Sequence, residues 1–341
     1  MLRRALSLLT LLTLGWSWSA ATPVKTYIPG IRHEYQRFNN CGPVTVTMAL
    51  SRWGSALNQY DSAPRLKNGP GDANVSPHEL ADYARAQGMS VHQGVAGNRF
   101  LLKRLLAAGL PVIVETWFLT ADSGGMGHYR LLTGYDDAAG HFSALDSYLG
   151  PLKLPYDRFD ELWRAYNRTY LVVVTPEKRP VLEQALLFHA RPDVTKRAAL
   201  RHALSDTERR GDAWAWWNLG HAKLALGDAR GAARAFDAAY AAKPDLSQDP
   251  TRPARVSGGV PWRAGWYSFG PLEAYTRTGR FADVLRLTGE ILRDVPAHEE
   301  ALYWRGRALA GLGRAAEAQA AYRAALGLRP GYAAARQALG E

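Results

Sequence analysis

The spacing of apolar residues changes twice along the chain. Up to Pro111 apolar positions recur at helical intervals, and from Val112 onwards they alternate with polar positions, as strands require. Beyond Pro176 helical spacing returns and continues to the end of the sequence. The pattern predicts an α+β domain over residues 22–178, followed by an all-α domain over residues 179–341.

Local signals place the helices of the first domain. Proline is favoured in the first helical turn, so Gly42-Pro43 predicts a helix that starts beside Cys41. Ser76-Pro77-His78-Glu79 is a capping box that opens a second helix, and Gly88 ends it. The apolar spacing from 98 to 108 predicts a third helix.

The strands come after these helices. Val112-Ile113-Val114 opens a β-rich run, and residues 128–135 alternate as a strand requires. Residues 136–140 form a predicted turn, after which a returning strand ends at Asp146. Residues 170–175 add a further strand. Helices followed by antiparallel strands are typical of an α+β fold.

The second domain repeats itself. Equivalent positions lie 86 residues apart in the first and last units, and 34 residues separate the middle unit from the last. The first interval therefore contains 18 extra residues, which we expect to project as a loop near residues 245–262. Residues 331–339 are predicted to form a final capping helix. The equivalent positions are Gly220, Gly227, Ala232, Phe236, Ala239 and Pro244, then Leu272, Gly279, Val284, Ile291 and Pro296, then Gly306, Gly313, Ala318, Tyr322, Ala325 and Pro330.

This period, with its small, aromatic and proline positions, resembles the tetratricopeptide repeat. The resemblance implies an all-α helical solenoid, in which each helical hairpin buries its apolar face against its neighbours. It also implies that this domain binds a protein partner.

The N-terminus is typical of an export signal. Arg3 and Arg4 precede the apolar stretch 6–16, and Ser19-Ala20-Ala21 offers a cleavage site before residue 22. The stretch is shorter than the roughly 20 apolar residues that a membrane span needs. We therefore expect residues 1–21 to be a signal peptide. The expected product is a secreted, periplasmic or cell-envelope protein with no stable membrane span.

Charge and composition exclude several kinds of site. The net charge is +11, but the basic residues are scattered among acidic ones and form no dense block. A nucleic-acid-binding protein needs a clustered basic face, so no nucleic acid is expected as a partner. Histidine and acidic residues do not cluster at ligand spacing, and we expect neither a metal nor another cofactor.

Cys41 is the only cysteine of the 341 residues. In an exported chain it has no intramolecular disulfide partner, so the thiol is either an inert buried group or a reactive one. The positive end of a helix dipole favours thiolate, the nucleophilic form. Cys41 is therefore the candidate nucleophile.

A thiol nucleophile needs a base, a group that orients the base, and donors for the oxyanion. His128 follows a glycine-rich stretch and begins a strand, which makes it the candidate base. Asp146 ends the partner strand and is the candidate orienting group. Gln36 is the candidate oxyanion donor, together with the backbone N–H of Cys41. His141 is a rival base, but it lies in the hairpin turn.

Residues 27–175 resemble the papain-like cysteine peptidases related to the bacteriocin double-glycine leader peptidases. The resemblance implies that Cys41 is the nucleophile, His128 the base, Asp146 the orienting residue and Gln36 the oxyanion donor. The matching stretches are Gln36 with Asn40-Cys41-Gly42-Pro43, the run from Leu105 to Val114, Gly127-His128-Tyr129, Leu132 to Asp136, and Asp146.

The sequence departs from the family pattern at two positions. Gln36 lies five residues before Cys41 instead of six, which leaves Asn39 and Asn40 as alternative oxyanion donors. Ser147 follows Asp146 where proline is usual.

Two functions are consistent with these residues. The first is an exported cysteine hydrolase that cleaves amide bonds, most simply peptide bonds, through a Cys41 acyl-enzyme. The second is a catalytically silent adaptor, in which the papain-like domain and the repeats only bind. Under the first hypothesis we expect residues 22–178 to fold alone and to retain the chemistry of Cys41.

Overall fold

The computed structural model describes residues 22–69, 71–122, 124–249, 251 and 258–341. The predicted export signal, residues 1–21, lies outside this part. Among the described helices, none has the length and apolar character needed to cross a membrane.

The first half contains both helices and strands, and helices alone follow. The first half contains β1 (Lys25–Tyr27), α1 (Cys41–Ser51), α2 (Gln59–Leu66), α3 (Pro77–Ala86), β2 (Ser90–Gly94), α4 (Arg99–Ala107), β3 (Val112–Phe118), β4 (Met126–Asp136), β5 (His141–Asp146), β6 (Gly150–Pro155), α5 (Tyr156–Trp163) and β7 (Tyr170–Val174). The second half contains α6 (Arg179–Leu186), α7 (Pro192–Arg209), α8 (Ala213–Ala225), α9 (Ala229–Ala241), α10 (Gly270–Arg277), α11 (Phe281–Asp294), α12 (Glu299–Gly311), α13 (Ala315–Leu328) and α14 (Ala333–Leu339). Short 3-10 turns lie at 164–166, 176–178, 187–190, 246–248 and 262–266.

The strands form one antiparallel sheet in the order β2-β7-β3-β4-β5-β6, with β1 paired to β4. The α+β fold predicted from the sequence is confirmed. The capping box at the start of α3 is formed, and the Asn98 side chain caps α4 by accepting from the N–H of Leu101 at 2.9 Å. The turn at 137–140 joins β4 to β5 as predicted.

Helices cover both faces of the sheet. α4, α5 and α6 pack on one face, and their apolar contacts with it include Leu102, Leu106, Val112, Phe159 and Leu182. α1 and α3 pack on the other face, through Val46, Leu50, Leu80, Ile113 and Leu131. Because α1 lies on the sheet and contacts β4, its first residue, Cys41, reaches the end of β4 where His128 lies.

The second half is a run of antiparallel helical hairpins, as the repeat pattern predicts. In the first hairpin a Cβ atom on Gly220 would lie 2.5 Å from the ring of Phe236, and Gly306 meets Tyr322 at the same distance in the last. Glycine and an aromatic residue are therefore required at these paired positions, because the two helices approach closely. α14 packs on α13 as the predicted capping helix.

Apolar side chains of the two halves share a core. Trp117 of β3 and Ala165 are buried together with Trp214 and Trp217 of α8. α6 follows the domain boundary predicted at residue 178, yet its side chains join the core of the sheet.

Polar contacts also join the halves. Asn68 Nδ2 donates to Glu299 Oε2 at 2.6 Å, and Asn74 Nδ2 donates to Glu300 Oε1 at 2.9 Å. Both glutamates are buried at the start of α12. The last full hairpin of the solenoid therefore contacts the segment that leads into α3.

The insert expected to project as a loop near 245–262 is exposed at residues 245–247, but Asp249 and residues 259–261 are buried. The Gln248 carbonyl accepts a hydrogen bond from Trp117 Nε1 at 3.1 Å, and Asp249 is buried. A Cβ atom on Gly125 would lie 2.0 Å from the same carbonyl oxygen. The glycine-rich stretch before His128 thus allows the insert to pack closely against it.

Candidate active site

Cys41 is the first residue of α1, as predicted, and its side chain is partly buried. Asn39, with φ of 55°, is in the left-handed conformation that asparagine adopts more readily than most residues, and it turns the chain into the helix. The backbone N–H groups of a first helical turn have no intrahelical partner. The backbone N–H groups of Gly42, in this turn, and of Tyr129 help to stabilise negative charge on the thiol.

The thiol of Cys41 lies beside the His128 ring, within range of a hydrogen bond to it. Burial alone raises the pKa of the thiol, but the hydrogen bond and the positive charge of His128 outweigh it and lower that pKa below its ordinary value. For His128 burial disfavours the charged ring, whereas its bonds to Asp146 and Cys41 outweigh burial and raise its pKa. The two shifts favour a thiolate–imidazolium pair, which is the reactive state of a cysteine nucleophile.

Asp146 fixes the orientation of the His128 ring. His128 Nε2 donates to Asp146 Oδ1 at 3.0 Å, which leaves the other ring nitrogen for Cys41. The register of the sheet produces this contact, because β5 runs antiparallel to β4 and places Asp146 opposite Arg130, two residues beyond His128. The ring of Phe118 also packs on the imidazole, with the ring centres 4.3 Å apart.

Several further groups hold the Asp146 carboxylate, which is fully buried. Arg130 Nε donates to Oδ2 at 2.8 Å, and the N–H groups of Tyr148 and Leu149 donate to Oδ1 at 2.8 and 3.0 Å. Burial raises the pKa of the carboxyl group, but His128, Arg130 and the backbone donors lower it well below its usual range. Asp146 therefore stays charged and acts as a fixed acceptor.

Gln36 lies at the same site. Its N–H donates to the carbonyl of Ser147 at 2.8 Å, and its Oε1 accepts from the Ser147 hydroxyl at 2.7 Å. With Oε1 occupied, Nε2 is the end of the amide that is left to donate. Ser147, which stands where proline is usual, thus holds the side chain that the sequence assigns to the oxyanion.

Asn40, an alternative donor, is already engaged. Its Nδ2 donates to Gln59 Oε1 at 3.0 Å, and its Oδ1 accepts from Lys67 Nζ at 3.1 Å. Lys67 also donates to the carbonyl groups of Phe38 and Asn39, so its ammonium group holds the loop that precedes Cys41.

His141 does not join the site. It begins β5 opposite Asp136, at the far end of the strand from Asp146. It is buried, although the sequence predicts a residue of an exposed turn. Among the described residues, no group of three or more histidine, cysteine or acidic side chains is arranged to hold a metal ion.

Sequence reasoning missed three supporting residues, namely Arg130, Ser147 and Lys67. Arg130 had a signal, because it lies two positions after His128 and side chains two apart share one face of a strand. For Ser147 and Lys67 nothing in the local pattern indicates the contact, since each meets a residue distant in the sequence.

Several solved structures are similar to this chain. A double glycine motif protease from an AMS/PCAT transporter, in complex with its leader peptide, is 14% identical and covers 44% of this chain and 94% of its own, with a TM-score of 0.35. The peptidase domain of Streptococcus ComA, a bi-functional ABC transporter involved in quorum sensing, is 13% identical, with coverage of 43% and 99% and a TM-score of 0.35. A MamA RS-1 double mutant is 20% identical, with coverage of 47% and 79% and a TM-score of 0.34.

Family models match both halves of the chain. The model of the Peptidase_C39 like family matches residues 26–171, and that of the tetratricopeptide repeat matches residues 299–332. No curated protein matches the chain. Residues 26–171 are therefore similar to the C39-like peptidase family, and the helical region that follows contains a match to the tetratricopeptide repeat.

Proposed function

We propose that this protein is a cysteine hydrolase that cleaves amide bonds, with peptide bonds as its simplest substrates. The observation that carries the proposal is the placement of the Cys41 thiol beside His128, whose Nε2 is hydrogen-bonded to the Asp146 carboxylate. Its order of nucleophile, base and orienting carboxylate is the order that acyl transfer requires.

In the first step the Cys41 thiolate attacks the carbonyl carbon of the substrate. A bond forms between Sγ and carbon, and the electron pair of the carbonyl double bond moves to oxygen. The Cys41 N–H and Gln36 Nε2 are the proposed donors to that oxyanion. The intermediate then collapses, the carbon–nitrogen bond breaks, and protonated His128 gives its proton to the leaving amine.

In the second step water releases the acyl group. Neutral His128 takes a proton from the water, whose oxygen bonds to the acyl carbon. The carbon–sulfur bond then breaks, so Cys41 returns to thiolate and His128 to imidazolium. Asp146 remains charged in both steps and keeps the ring aligned.

The helical region is proposed to bind a protein partner or to position a protein substrate. Its tetratricopeptide repeat supports this role, because stacked repeats offer extended binding surfaces. Side chains of α8 lie against the peptidase domain. A substrate held by the repeats is thus delivered to the same molecule that carries Cys41.

Export is also proposed, with removal of residues 1–21. The basic pair Arg3-Arg4, the apolar stretch and the small residues at 19–21 support it. Mass spectrometry of the protein recovered from a bacterial envelope fraction measures the mature N-terminus. A mature chain that begins near residue 22 is the expected result, and a retained residue 1 contradicts the proposal.

The hydrolase and the silent adaptor are separated by a covalent probe. The full chain is incubated with a peptide that carries an alkylating group, and the labelled residue is identified by mass spectrometry. We expect labelling of Cys41 that falls sharply in His128→Ala and stays unchanged in His141→Ala, a histidine of the same hairpin that does not contact Cys41. Equal labelling in both variants contradicts the hydrolase and leaves the adaptor.

A further inference from the structure

A cavity of about 250 Å³ lies between the peptidase domain and the helical region. β3 and the turn at 164–166 supply one wall, and α7, α8 and the segment before α10 supply the other. The lining residues that matter here are Glu115, Tyr166, Lys196, Asn218, His221 and Tyr267.

The cavity adjoins the proposed nucleophile. Glu115 lies opposite Tyr129, the residue directly after His128, in the β3–β4 pairing. Burial is the main cause that raises the pKa of Glu115, Tyr166 and Tyr267, and the charge of Cys41 adds to each shift. A peptide bound across Cys41 is therefore within reach of this cavity.

Gly127, immediately before His128, defines the shared wall. A Cβ atom there would lie 2.6 Å from the Tyr166 hydroxyl and 3.0 Å from the ring of Tyr267. Tyr267 belongs to the helical region, which thus helps to form the surroundings of the site.

Three acceptor groups of the cavity lack a partner. Glu115 is 4% exposed, and no described residue donates a hydrogen bond or forms an ion pair with its carboxyl group. The Tyr166 hydroxyl and Asn218 Oδ1 are buried and also have no hydrogen-bond partner among the described residues. Most buried polar side-chain atoms in proteins are paired, so a cluster of unpaired acceptors indicates a place for a donor.

The other polar groups of the cavity do not neutralise Glu115. His221 Nε2 contacts the Ser268 hydroxyl at 2.7 Å, and burial lowers the pKa of His221 to about 4, so the ring is neutral near pH 7. Lys196 is exposed at the rim and forms no ion pair with Glu115. The inner end of the cavity therefore holds a buried carboxyl group that has no cation beside it among the described residues, and burial raises the pKa of this group well above its ordinary value.

We propose that this cavity binds a positively charged ammonium group of the peptide substrate, with Glu115 as its counter-ion. The ammonium group belongs either to a lysine side chain or to the N-terminus of the peptide. It carries three N–H donors, at least one of which the unpaired Glu115 carboxyl group can accept. The apolar stem of such a group packs against Ala199 and Trp217, which also line the cavity.

The proposal rests on the proposed hydrolase and deepens it, because it names a substrate class for the same site. An apolar side chain is the main alternative occupant, but it leaves the buried carboxyl group without a donor. An acidic side chain brings like charges together. Both of these occupants are outcomes of the test below.

The test measures peptide binding to full-length Cys41→Ala, which cannot turn substrate over. Short peptides of otherwise identical sequence carry lysine, norleucine or glutamate at one of two neighbouring positions, each with a free or an acetylated N-terminus. Calorimetry gives the dissociation constants. We expect a cationic peptide to bind about tenfold or more tightly than its neutral counterpart, since hydrogen bonds to charged groups are the stronger kind.

The two sources of the ammonium group give different patterns. A preference for lysine that survives acetylation assigns the cavity to a side chain, whereas a preference that acetylation removes assigns it to the N-terminus. Three results overturn the proposal. The first is equal affinity for the norleucine and lysine peptides with either N-terminus, and the second is tighter binding of the glutamate peptide. The third is no binding of any peptide at millimolar concentration.

Two variants test whether Glu115 is the group that causes the preference for cationic peptides. Glu115→Gln, made in the Cys41→Ala chain, is expected to reduce the ratio of affinities to near one. Asp157→Asn removes one fully exposed carboxylate and is expected to leave the ratio unchanged. If Glu115→Gln does not fold, the proposal is still tested by comparing the affinities of the lysine and norleucine peptides for the Cys41→Ala chain.

The proposed hydrolase activity and the proposed ammonium-binding site can be refuted separately. A wild-type thiol that reacts with small alkylating reagents, without any charge preference in peptide binding, overturns the cavity alone. A charge preference in a chain whose Cys41 is inert overturns the hydrolase alone.

Discussion

Asp146 and Glu115 are buried carboxylates on β5 and β3, the two strands that flank β4. Asp146 accepts hydrogen bonds from His128, Arg130 and two backbone N–H groups. Glu115 accepts none from the described residues. The comparison teaches that one sheet holds a carboxylate with its partners built in and, two strands away, a carboxyl group without a partner among the described residues.

The pKa values of the two carboxyl groups shift in opposite directions because only Asp146 has hydrogen-bond donors in the described part of the chain. Burial disfavours the charged form of both. At Asp146 the donors outweigh burial and lower the pKa, whereas at Glu115 burial and the charge of Cys41 act together and raise the pKa well above its ordinary value.

Asp146→Asn removes the charge of the carboxylate that pairs with His128 and Arg130, and it has the largest expected effect. The amide cannot hold the imidazolium in the same way, so turnover should fall by roughly 10²–10⁴-fold. The free energy of unfolding should fall by about 3–5 kcal/mol, because Arg130 loses its buried counter-ion. Steady-state kinetics and urea unfolding measure the two effects, and Asp157→Asn is the control. Turnover within threefold of wild type contradicts the role of Asp146.

Gln36→Ala tests the proposed oxyanion donor, whose side chain accepts a hydrogen bond from the Ser147 hydroxyl. Loss of an oxyanion donor should lower turnover by roughly 10²–10³-fold with folding intact. Ser147→Ala keeps the donor but releases it, and one neutral hydrogen bond corresponds to a loss of roughly two- to tenfold. If Gln36→Ala costs less than threefold, Asn39 is the next candidate.

Glu115→Gln sharpens the second half of the comparison and has the smallest effect. An acid whose pKa is raised in the folded state destabilises the protein as pH rises above its ordinary value, here 4.5. The glutamine variant should therefore be more stable than wild type near pH 7, by on the order of 1 kcal/mol for each unit of pKa change removed.

The stability contributed by Asp146 and by Glu115 should change with pH in opposite directions. A lowered pKa contributes stability that is present above the ordinary value of 3.8 and is lost as pH falls below it. Urea unfolding between pH 3 and pH 8 should thus show an advantage of Glu115→Gln that grows with pH. An advantage that is constant with pH contradicts the unpaired state of Glu115.

Much of the fold follows from local patterns in the sequence. The capping box of α3 and the alternation in β4 depend on residues that are neighbours in the chain. The contact of His128 with Asp146 was also predictable, because a short hairpin brings the ends of its two strands together.

The contacts between the halves could not be predicted in this way. Trp117 appears in the sequence as part of a buried strand, but only the structure shows that its partners lie on α8. The glycine-rich stretch before His128 indicated flexibility, whereas Gly125 and Gly127 are needed because Gln248 and Tyr267 pack against them. Such pairs are distant in sequence and leave no periodic signal.

The shared core changes the expectation that residues 22–178 fold alone. Removal of the helical region exposes Trp117 and Ala165 and takes away Leu182 of α6 from the core of the sheet. We now expect this fragment to be less stable than a fragment that ends after α9. Expression of both and measurement of their unfolding by circular dichroism checks this. A fragment 22–178 as stable as the longer one restores the original expectation.

The central claim is that His128 activates the Cys41 thiol, and the rate of alkylation measured against pH tests it most directly. A small reagent such as iodoacetamide is used with the full chain and with His128→Ala. The lowered pKa of Cys41 predicts a wild-type rate that stays high below the range where an ordinary thiol titrates, at about 8.5. In His128→Ala only the backbone donors of Gly42 and Tyr129 oppose burial, so the profile should move to higher pH. A wild-type profile that follows an ordinary thiol and is unchanged in His128→Ala contradicts the account.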